Sequence, residues 1–275
     1  ADIEADVARG SHNLAKIVGI SDGFQVTEDR LSANHHFSNV LFNVMRGGLF
    51  MDNYWVDKED LIAFARATNA RLYEQSASVF ARLEARLHYS DLIQAAKVTG
   101  NAGLQRLCYE YLPLSFSRRH GDPSRPWNKF NIQVKQDDGS QLLNFEGNWR
   151  DIFQNWEGLS LSIPNYVESM ICKFVNASTV DGYNPYRITK AGIDWEKPDP
   201  SDPWANIGYW GDHQIVYLLK FLELSNSYHP GTLRTFLSAD LFCYANVPYR
   251  INPYGELLQD PHNTIDFDEA AELII

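Results

Sequence analysis

Apolar residues recur at helical spacing over most of this chain, which predicts a mostly α fold. Residues 57–87 carry Leu61, Phe64, Leu72 and Phe80 at intervals that fit two successive helices. The same spacing predicts helices at residues 90–98, 102–112, 165–175, 215–224 and 231–244, and in the middle of residues 30–50. Acidic residues from Asp268 onward are typical of the first turn of another helix.

Two long polar stretches separate these helices, at residues 117–141 and 177–209. The first contains a turn signal, Asp137-Asp138-Gly139, and a small β-hairpin is expected at residues 130–143. The second is rich in proline, and loops of such length inside a compact domain are usually functional. Helix pairs joined by loops of this kind predict a helical toroid whose active site is built from loops.

The bulk composition narrows the classes of partner and compartment. The net charge of −11 disfavours nucleic acid, because binding phosphates needs a concentrated basic surface. No apolar run approaches the roughly 20 residues of a membrane span. Cys108, Cys172 and Cys243 are odd in number and widely spaced, which indicates reduced thiols and a cytoplasmic protein.

A single domain over residues 1–275 is expected, truncated at both ends. The chain begins without Met inside a helical pattern and stops soon after another helix starts, at Ile275. We therefore expect it to be part of a larger polypeptide.

The densest polar cluster lies at residues 146–157. Asp151 can accept hydrogen bonds from vicinal sugar hydroxyls while Arg150 donates to them, and Gln154 adds an amide. Trp149 offers an apolar ring for the C–H face of a pyranose. The competing interpretation is a capped helix start with a structural Arg–Asp pair, and the residues alone leave both open.

Residues 147–155, Gly-Asn-Trp-Arg-Asp-Ile-Phe-Gln-Asn, resemble the Tyr-Arg-Asp-x-x-Gln-Asp/Asn motif of cellobiose-phosphorylase-like enzymes. These enzymes belong to the six-hairpin (α/α)₆ glycosidase superfamily. The resemblance implies a portion of that toroid, and it implies that Asp151 binds the sugar just before the scissile bond. Trp149 stands where the family usually has Tyr. Residues 209–217 resemble the Ser-Asp-Asp/His segment of the same family, followed by Val-Pro-Tyr at residues 247–249.

The second motif supplies further candidate pocket residues. Trp210 is expected to stack on sugar, and Asp212 and His213 to line the pocket together with Arg187 from the aromatic loop before it. An N-cap role for Asp212 is the strong alternative, because Asp is common at that position.

The chain departs from the family at the general acid. The Trp-Asn-Asp motif that supplies it in the family does not occur in this sequence. The resemblance therefore places the acid downstream of Ile275. In a complete protein of this length, Asp151 or Glu157 would have to supply the proton.

One basic loop interrupts the acidic sequence, with Arg118, Arg119, His120 and Arg125. It could bind phosphate and would then favour phosphorolysis, although charged loops are most often simply solvated. We expect no metal, because the adjacent His35 and His36 have no carboxylate at ligand spacing. No cofactor is expected beyond inorganic phosphate as a co-substrate.

These observations predict an inverting glycoside phosphorylase or hydrolase that acts on neutral oligosaccharides. The alternative is a non-catalytic helical domain that binds glycan or protein within a larger assembly, and the missing Trp-Asn-Asp motif is its best support.

Overall fold

The computed structural model describes residues 2–45, 48–50, 52–116, 133, 136–139, 142–195, 201, 209–210 and 213–274. Within these residues the fold is mostly α, as the apolar spacing predicts. The helices are α1 (Ile3–Ile20), α2 (Arg30–Met45), α3 (Lys58–Gln75), α4 (Ala77–Arg82), α5 (Tyr89–Val98), α6 (Ala102–Glu110), α7 (Trp149–Ser160), α8 (Val167–Ala177), α9 (Gln214–Tyr228), α10 (Thr232–Leu237), α11 (Tyr254–Leu257) and α12 (Glu269–Glu272), with a 3₁₀ turn at Pro164–Tyr166.

Short antiparallel strands tie the loops together. They are β1 (Gly48–Phe50), β2 (Trp55–Asp57), β3 (Arg86–His88), β4 (Leu114–Phe116), β5 (Glu146–Asn148), β6 (Tyr183–Asn184), β7 (Arg187–Thr189), β8 (Ile193–Asp194), β9 (Tyr209–Trp210), β10 (Tyr249–Ile251) and β11 (Ile265–Phe267). The pairs are β1–β4, β2–β3, β6–β9 and β10–β11, and β5, β7 and β8 form a three-stranded sheet in that order.

The predicted helices are confirmed, although α9 extends to Tyr228, past the expected end at residue 224, and α10 is shorter than expected. The two helices expected in residues 57–87 are α3 and α4, and the helix expected from residue 268 onward is α12, capped by the Asp268 side chain. Helix α10 stops at Leu237, whereas a helix to residue 244 was expected. The N–H groups of Cys243 and Ala245 donate instead to the Asn176 side chain (2.9 Å) and the Ser178 carbonyl (2.8 Å), so this segment is extended.

The loops agree with the sequence in part. The short strands β6, β7 and β8 of residues 177–209 carry no alternating pattern long enough to be predicted. The hairpin expected at residues 130–143 falls mostly outside the described residues, but its turn is present. Gly139 has φ +82°, a conformation that favours glycine, and its N–H donates to the Gln136 carbonyl at 2.9 Å.

Helices α7, α8 and α9 run in alternating directions. The Trp149 ring at the start of α7 packs on Phe174 near the end of α8, with ring centroids 5.1 Å apart. At the other end, Ser225 near the end of α9 donates to Glu168 at the start of α8, over 2.6 Å. These three helices form a bundle. The N-terminal ends of α7 and α9 lie at one end of it, together with the C-terminal end of α8.

Residues 48–116 enter and leave the bundle at one place. Strands β1 and β4 pair there, with Phe50 opposite Leu114. Inside this segment β2 and β3 pair around α3 and α4. Its buried side chains nevertheless belong to the same hydrophobic core as those of α7, α8 and α9. The two ends of the segment thus lie side by side, while its helices pack into the core that α7, α8 and α9 share.

The same segment holds the β7–β8 hairpin in place. Lys190 in the hairpin turn forms an ion pair with Asp60 on α3. Thr68, also on α3, donates to the carbonyl of Ala191 at 3.1 Å. Lys173 of α8 donates to the Lys190 carbonyl at 3.2 Å. Three side chains from two helices therefore fix a turn that would otherwise project into solvent.

The ammonium group of Lys173 is unusually desolvated. The residue is 6% exposed, and its Nζ lies 5.3 Å from the ring centroid of Phe64 and 5.7 Å from that of Phe145. Burial lowers the pKa of Lys173 to about 8, although the charge of Glu110 partly opposes this shift.

In the part of the chain that the structure describes, no helix is both long enough and apolar enough to cross a membrane.

The packing of α9 generates a first prediction. Phe221 is fully buried against α7, whereas Leu219 on the same helix is 55% exposed. Phe221→Ala should lower the free energy of unfolding by about 3–5 kcal/mol, because it removes a ring and leaves a cavity. Leu219→Ala, the matched control, should change it by less than about 0.5 kcal/mol. Urea denaturation measures both, and equal losses would show that α9 is rotated from this orientation.

A second prediction concerns pH and Lys173. Below about pH 8 the lysine is protonated in both states, so it adds no pH dependence. Between about 8 and its ordinary pKa of 10.5 the unfolded chain holds the proton more tightly, so the free energy of unfolding rises with pH.

Comparison with Lys173→Met, which keeps the apolar stem, isolates this contribution. From pH 7.5 to 9.5 the original protein should gain about 2 kcal/mol relative to the variant. Chemical denaturation at several pH values measures the difference. A difference that does not change with pH would mean that the ammonium group is hydrated in the native state.

Candidate functional site

The predicted sugar-binding motif forms the junction of β5 and α7. Asn148 is the N-cap of α7, and its side chain accepts a hydrogen bond from the Arg150 N–H at 2.9 Å. A Cβ added to Gly147 would lie 2.7 Å from Ile152 Cδ1. Gly147 is therefore required by close packing against the first turn of α7, where Ile152 covers that side of the glycine backbone.

Trp149 packs in the core. The residue has no exposed surface, and its ring lies 4.6 Å from that of Phe153 and 5.1 Å from that of Phe174, between centroids. Stacking on a sugar needs an exposed ring face, which Trp149 does not have. The sequence interpretation of Trp149 as a stacking residue is corrected here, because α8 covers the start of α7.

The polar part of the motif lies nearer the surface. Arg150 and Asp151 are partly buried in the first turn of α7, and Gln154 is exposed one turn later. The Asp151 carbonyl accepts a hydrogen bond from the Asn155 side chain at 3.2 Å. The capped helix start is thus confirmed, and sugar binding by the polar residues of its first turns stays a prediction.

Arg187 lies directly beside the motif. In the β5–β7 pair it stands opposite Asn148, although 39 positions separate them in the sequence. Its guanidinium forms ion pairs with Glu146 on β5 and Asp194 on β8. Partial burial opposes the charge, but the hydrogen bonds and charges of these carboxylates keep the pKa of Arg187 above its ordinary value. Its first role is therefore to join the three strands.

The second motif is described only in part. The backbone of Trp210 pairs with that of Tyr183 on β6. Strand β6 directly precedes β7, the strand of Arg187, in the sequence. Asp212 lies outside the described residues, as do Arg118, Arg119, His120 and Arg125. His213 is exposed just before α9, with its ring centroid 6.3 Å from that of Tyr217.

Gln214, which the sequence analysis did not select, is the first residue of α9. It is 1% exposed, and within the described part of the chain neither its amide oxygen nor its amide nitrogen has a hydrogen-bond partner. A buried amide left in this way is destabilising by about 1–3 kcal/mol. The signal in the sequence was a polar residue directly after Asp212 and His213, at a position where the helix faces the core.

Glu157 is an unsuitable partner for Asp151. Six residues separate them on α7, which corresponds to about 9 Å along the axis and about 240° of rotation. The two carboxylates therefore point to different sides of the helix. Glu157 also forms an ion pair with Lys220 of α9 at 3.2 Å. This geometry does not bring Asp151 and Glu157 together on one sugar.

A second polar cluster, also absent from the sequence analysis, lies at the opposite end of the helices. The buried carboxylate of Glu168 accepts from Ser225 at 2.6 Å and lies 2.9 Å from Nδ1 of His229. Nε2 of His229 is 3.3 Å from Asn165 Oδ1. Every member has a partner inside the cluster, so its role is to join the start of α8 to the end of α9.

The geometry thus collects one set of polar groups at one end of the bundle. Arg150 and Asp151 come from the start of α7, His213 and Gln214 from the start of α9, and Arg187 from the adjoining strand. Two helix N-termini and several neutral or charged donors and acceptors at one surface suit a ligand rich in hydroxyl groups.

Comparison with protein families adds one match. Residues 50–113 are similar to the family model described as glycoside hydrolase family 149 insertion domain 1. Compared with curated proteins, the chain has no match. The matched residues coincide with the segment that β1 and β4 close, so they form one structural unit that contains α3 to α6. The match supports a glycoside hydrolase-related protein and does not extend to α7, α8 and α9.

Proposed function

We propose that this protein is a carbohydrate-active enzyme, an inverting glycoside phosphorylase or hydrolase that binds neutral oligosaccharides at the N-terminal ends of α7 and α9. The observation that carries the proposal is the placement of Asp151, Arg187 and His213 at one end of the bundle. The similarity of residues 50–113 to a glycoside hydrolase insertion domain supports the same class of ligand.

In this proposal Asp151 accepts hydrogen bonds from two vicinal hydroxyls, and Arg150 donates to one of them. The amide of Gln214, which has no hydrogen-bond partner among the described residues, would gain hydrogen bonds to sugar hydroxyl groups. Trp210 remains the proposed stacking residue, and Asp212 and His213 the proposed pocket wall. A net charge of −11 suits a neutral sugar better than an anionic one.

The alternating directions of α7, α8 and α9 support the further proposal that they belong to an (α/α)₆ toroid. In such a fold every second helix runs the same way, so helix N-termini gather at one rim. The parallel helices α7 and α9, which pack on each other and are both antiparallel to α8, have this arrangement. The three cysteines have no disulfide among the described residues, which fits the proposed cytoplasmic location.

The chemistry of cleavage depends on which nucleophile is used. Inverting hydrolysis needs an acid and a base, with carboxylates about 6.5–9.5 Å apart across the bond. Phosphorolysis needs only the acid, because phosphate attacks the anomeric carbon. Since Asp151 and Glu157 face different sides of α7, Asp151 is proposed to bind the sugar, and the general acid is not assigned to either residue.

A third prediction tests the binding role of Asp151. Asp151→Asn should weaken binding of neutral oligosaccharides by about 10- to 100-fold, because a charge-assisted hydrogen bond is replaced by a neutral one. The melting temperature should fall only slightly, as one helix N-terminus loses a favourable charge. Titration calorimetry and thermal denaturation measure the two effects.

Asp91→Asn is the matched control, since Asp91 is exposed in the first turn of α5 and loses the same helix-dipole interaction. It should leave binding unchanged. If Asp151→Asn instead unfolds the protein, Asp151 is structural, and if the variant binds as well as the original, the carboxylate does not contribute to binding.

A product assay separates the two reactions. The full-length protein, including any residues beyond Ile275, is incubated with neutral disaccharides with and without inorganic phosphate. A sugar 1-phosphate formed only with phosphate indicates phosphorolysis, and free sugars formed without it indicate hydrolysis. Binding without either product would favour the second candidate, a non-catalytic glycan-binding domain. The absence of a Trp-Asn-Asp motif from the sequence is the observation that favours that candidate.

A further inference from the structure

A second cleft lies at the opposite end of the helices from Asp151. It has a volume of about 350 Å³, within the range of about 300–1,000 Å³ typical of ligand pockets. Its walls come from the α1–α2 connection and α2, from the β1–β2 connection, from the turn after α7 and from the last residue of α9. The residues that matter for its chemistry are Asp22, Gln25, His36, Tyr54, Ser162 and Tyr228.

Two tyrosines provide ring surfaces in this cleft. Tyr54 is held in place, since its carbonyl accepts from the N–H of Tyr89 at 2.8 Å and its ring lies 6.0 Å from that of Tyr166. Burial, with a smaller contribution from the charge of Asp22, raises the pKa of Tyr54 to about 12, so its hydroxyl stays protonated. Tyr228 ends α9 and is 46% exposed, so its ring is accessible.

The polar wall is organised around Asp22. The backbone of this residue has φ +59°, which is uncommon for residues other than glycine. Its carbonyl accepts from His36 Nε2 at 2.7 Å and from the Gln25 amide at 3.2 Å. In neutral His36 this bond makes Nε2 the donor and leaves Nδ1 as an acceptor. No hydrogen bond reaches the Asp22 carboxylate from any residue that the structure describes.

Ser162 gives an independent indication of a ligand. It is 3% exposed, it lines the cleft, and its hydroxyl has no hydrogen-bond partner among the described residues. Buried hydroxyls of this kind are normally satisfied. A polar molecule in the cleft, or a water that such a molecule displaces, would supply the partner.

We propose that this cleft is a second saccharide-binding site, separate from the one at Asp151. With neutral His36, Asp22 is the only charged residue among the described residues that line it, so an anion is disfavoured. Two tyrosine rings beside hydroxyl, amide and carboxylate groups match the apolar and polar faces of a sugar ring. An ammonium ligand could use the rings and Asp22, but it would leave Gln25 and Ser162 unused.

The ligand class follows from the lining of the cleft itself, and the proposed function contributes only the choice of saccharide probes. The binding experiment uses neutral oligosaccharides on a glycan array, followed by titration calorimetry with the best binder. The variants are Tyr228→Ala for the cleft, Asp151→Asn for the first site, and Tyr244→Ala as a control. Tyr244 is 61% exposed and lies outside the cleft.

We expect two sites in the original protein and one in each of the two site variants. Tyr228→Ala should weaken the second site about tenfold or more, because the accessible ring is lost, and Tyr244→Ala should change neither site. Thermal denaturation of each variant verifies that it is folded.

Loss of all binding in Asp151→Asn, with Tyr228→Ala unaffected, would overturn the second site and leave the proposed function intact. The reverse pattern would overturn the role of Asp151 and support the cleft. No saccharide binding by the original protein would overturn both proposals. Binding of tetramethylammonium at the cleft in place of saccharide would overturn the ligand class proposed for it.

Discussion

The position of the site depends on the packing of one aromatic ring. Phe153, fully buried in the middle of α7, lies within 4.6–6.3 Å of the rings of Trp149, Trp156, Phe174 and Phe221, measured between centroids. These rings belong to α7, α8 and α9, so burying them together fixes the three helices side by side. This packing places the N-terminal ends of α7 and α9 at the same end of the bundle, together with the polar groups that they carry.

This packing separates two kinds of residue within the same short motif. Trp149 belongs to the buried side of α7, whereas Asp151 and Gln154 lie progressively nearer to solvent. The motif therefore combines a capped helix start with polar side chains that lie near the surface. A polar residue at the equivalent end of α9, Gln214, is buried by the same packing, and its amide has no hydrogen-bond partner among the residues that the structure describes.

The segment of residues 48–116 is inserted between α2 and α7 in the sequence, but its buried side chains belong to the main hydrophobic core. Its two ends meet at the β1–β4 pair, and its helices share the core of α7 to α9. Through the ion pair of Asp60 with Lys190 it also holds the hairpin that carries Arg187. The part of the chain similar to a glycoside hydrolase insertion domain thus supports the strand beside the candidate site.

The sequence by itself determined the helical class, the places of most helices and the polar motif, because apolar spacing and capping residues are local properties. Glu146 and Arg187, forty-one positions apart, gave no signal of their ion pair, and Ser225 gave none of its bond to Glu168. The burial of Trp149 and the cleft between Tyr54 and Tyr228 were equally hidden. These features depend on which helix faces cover one another, and long-range packing alone decides that.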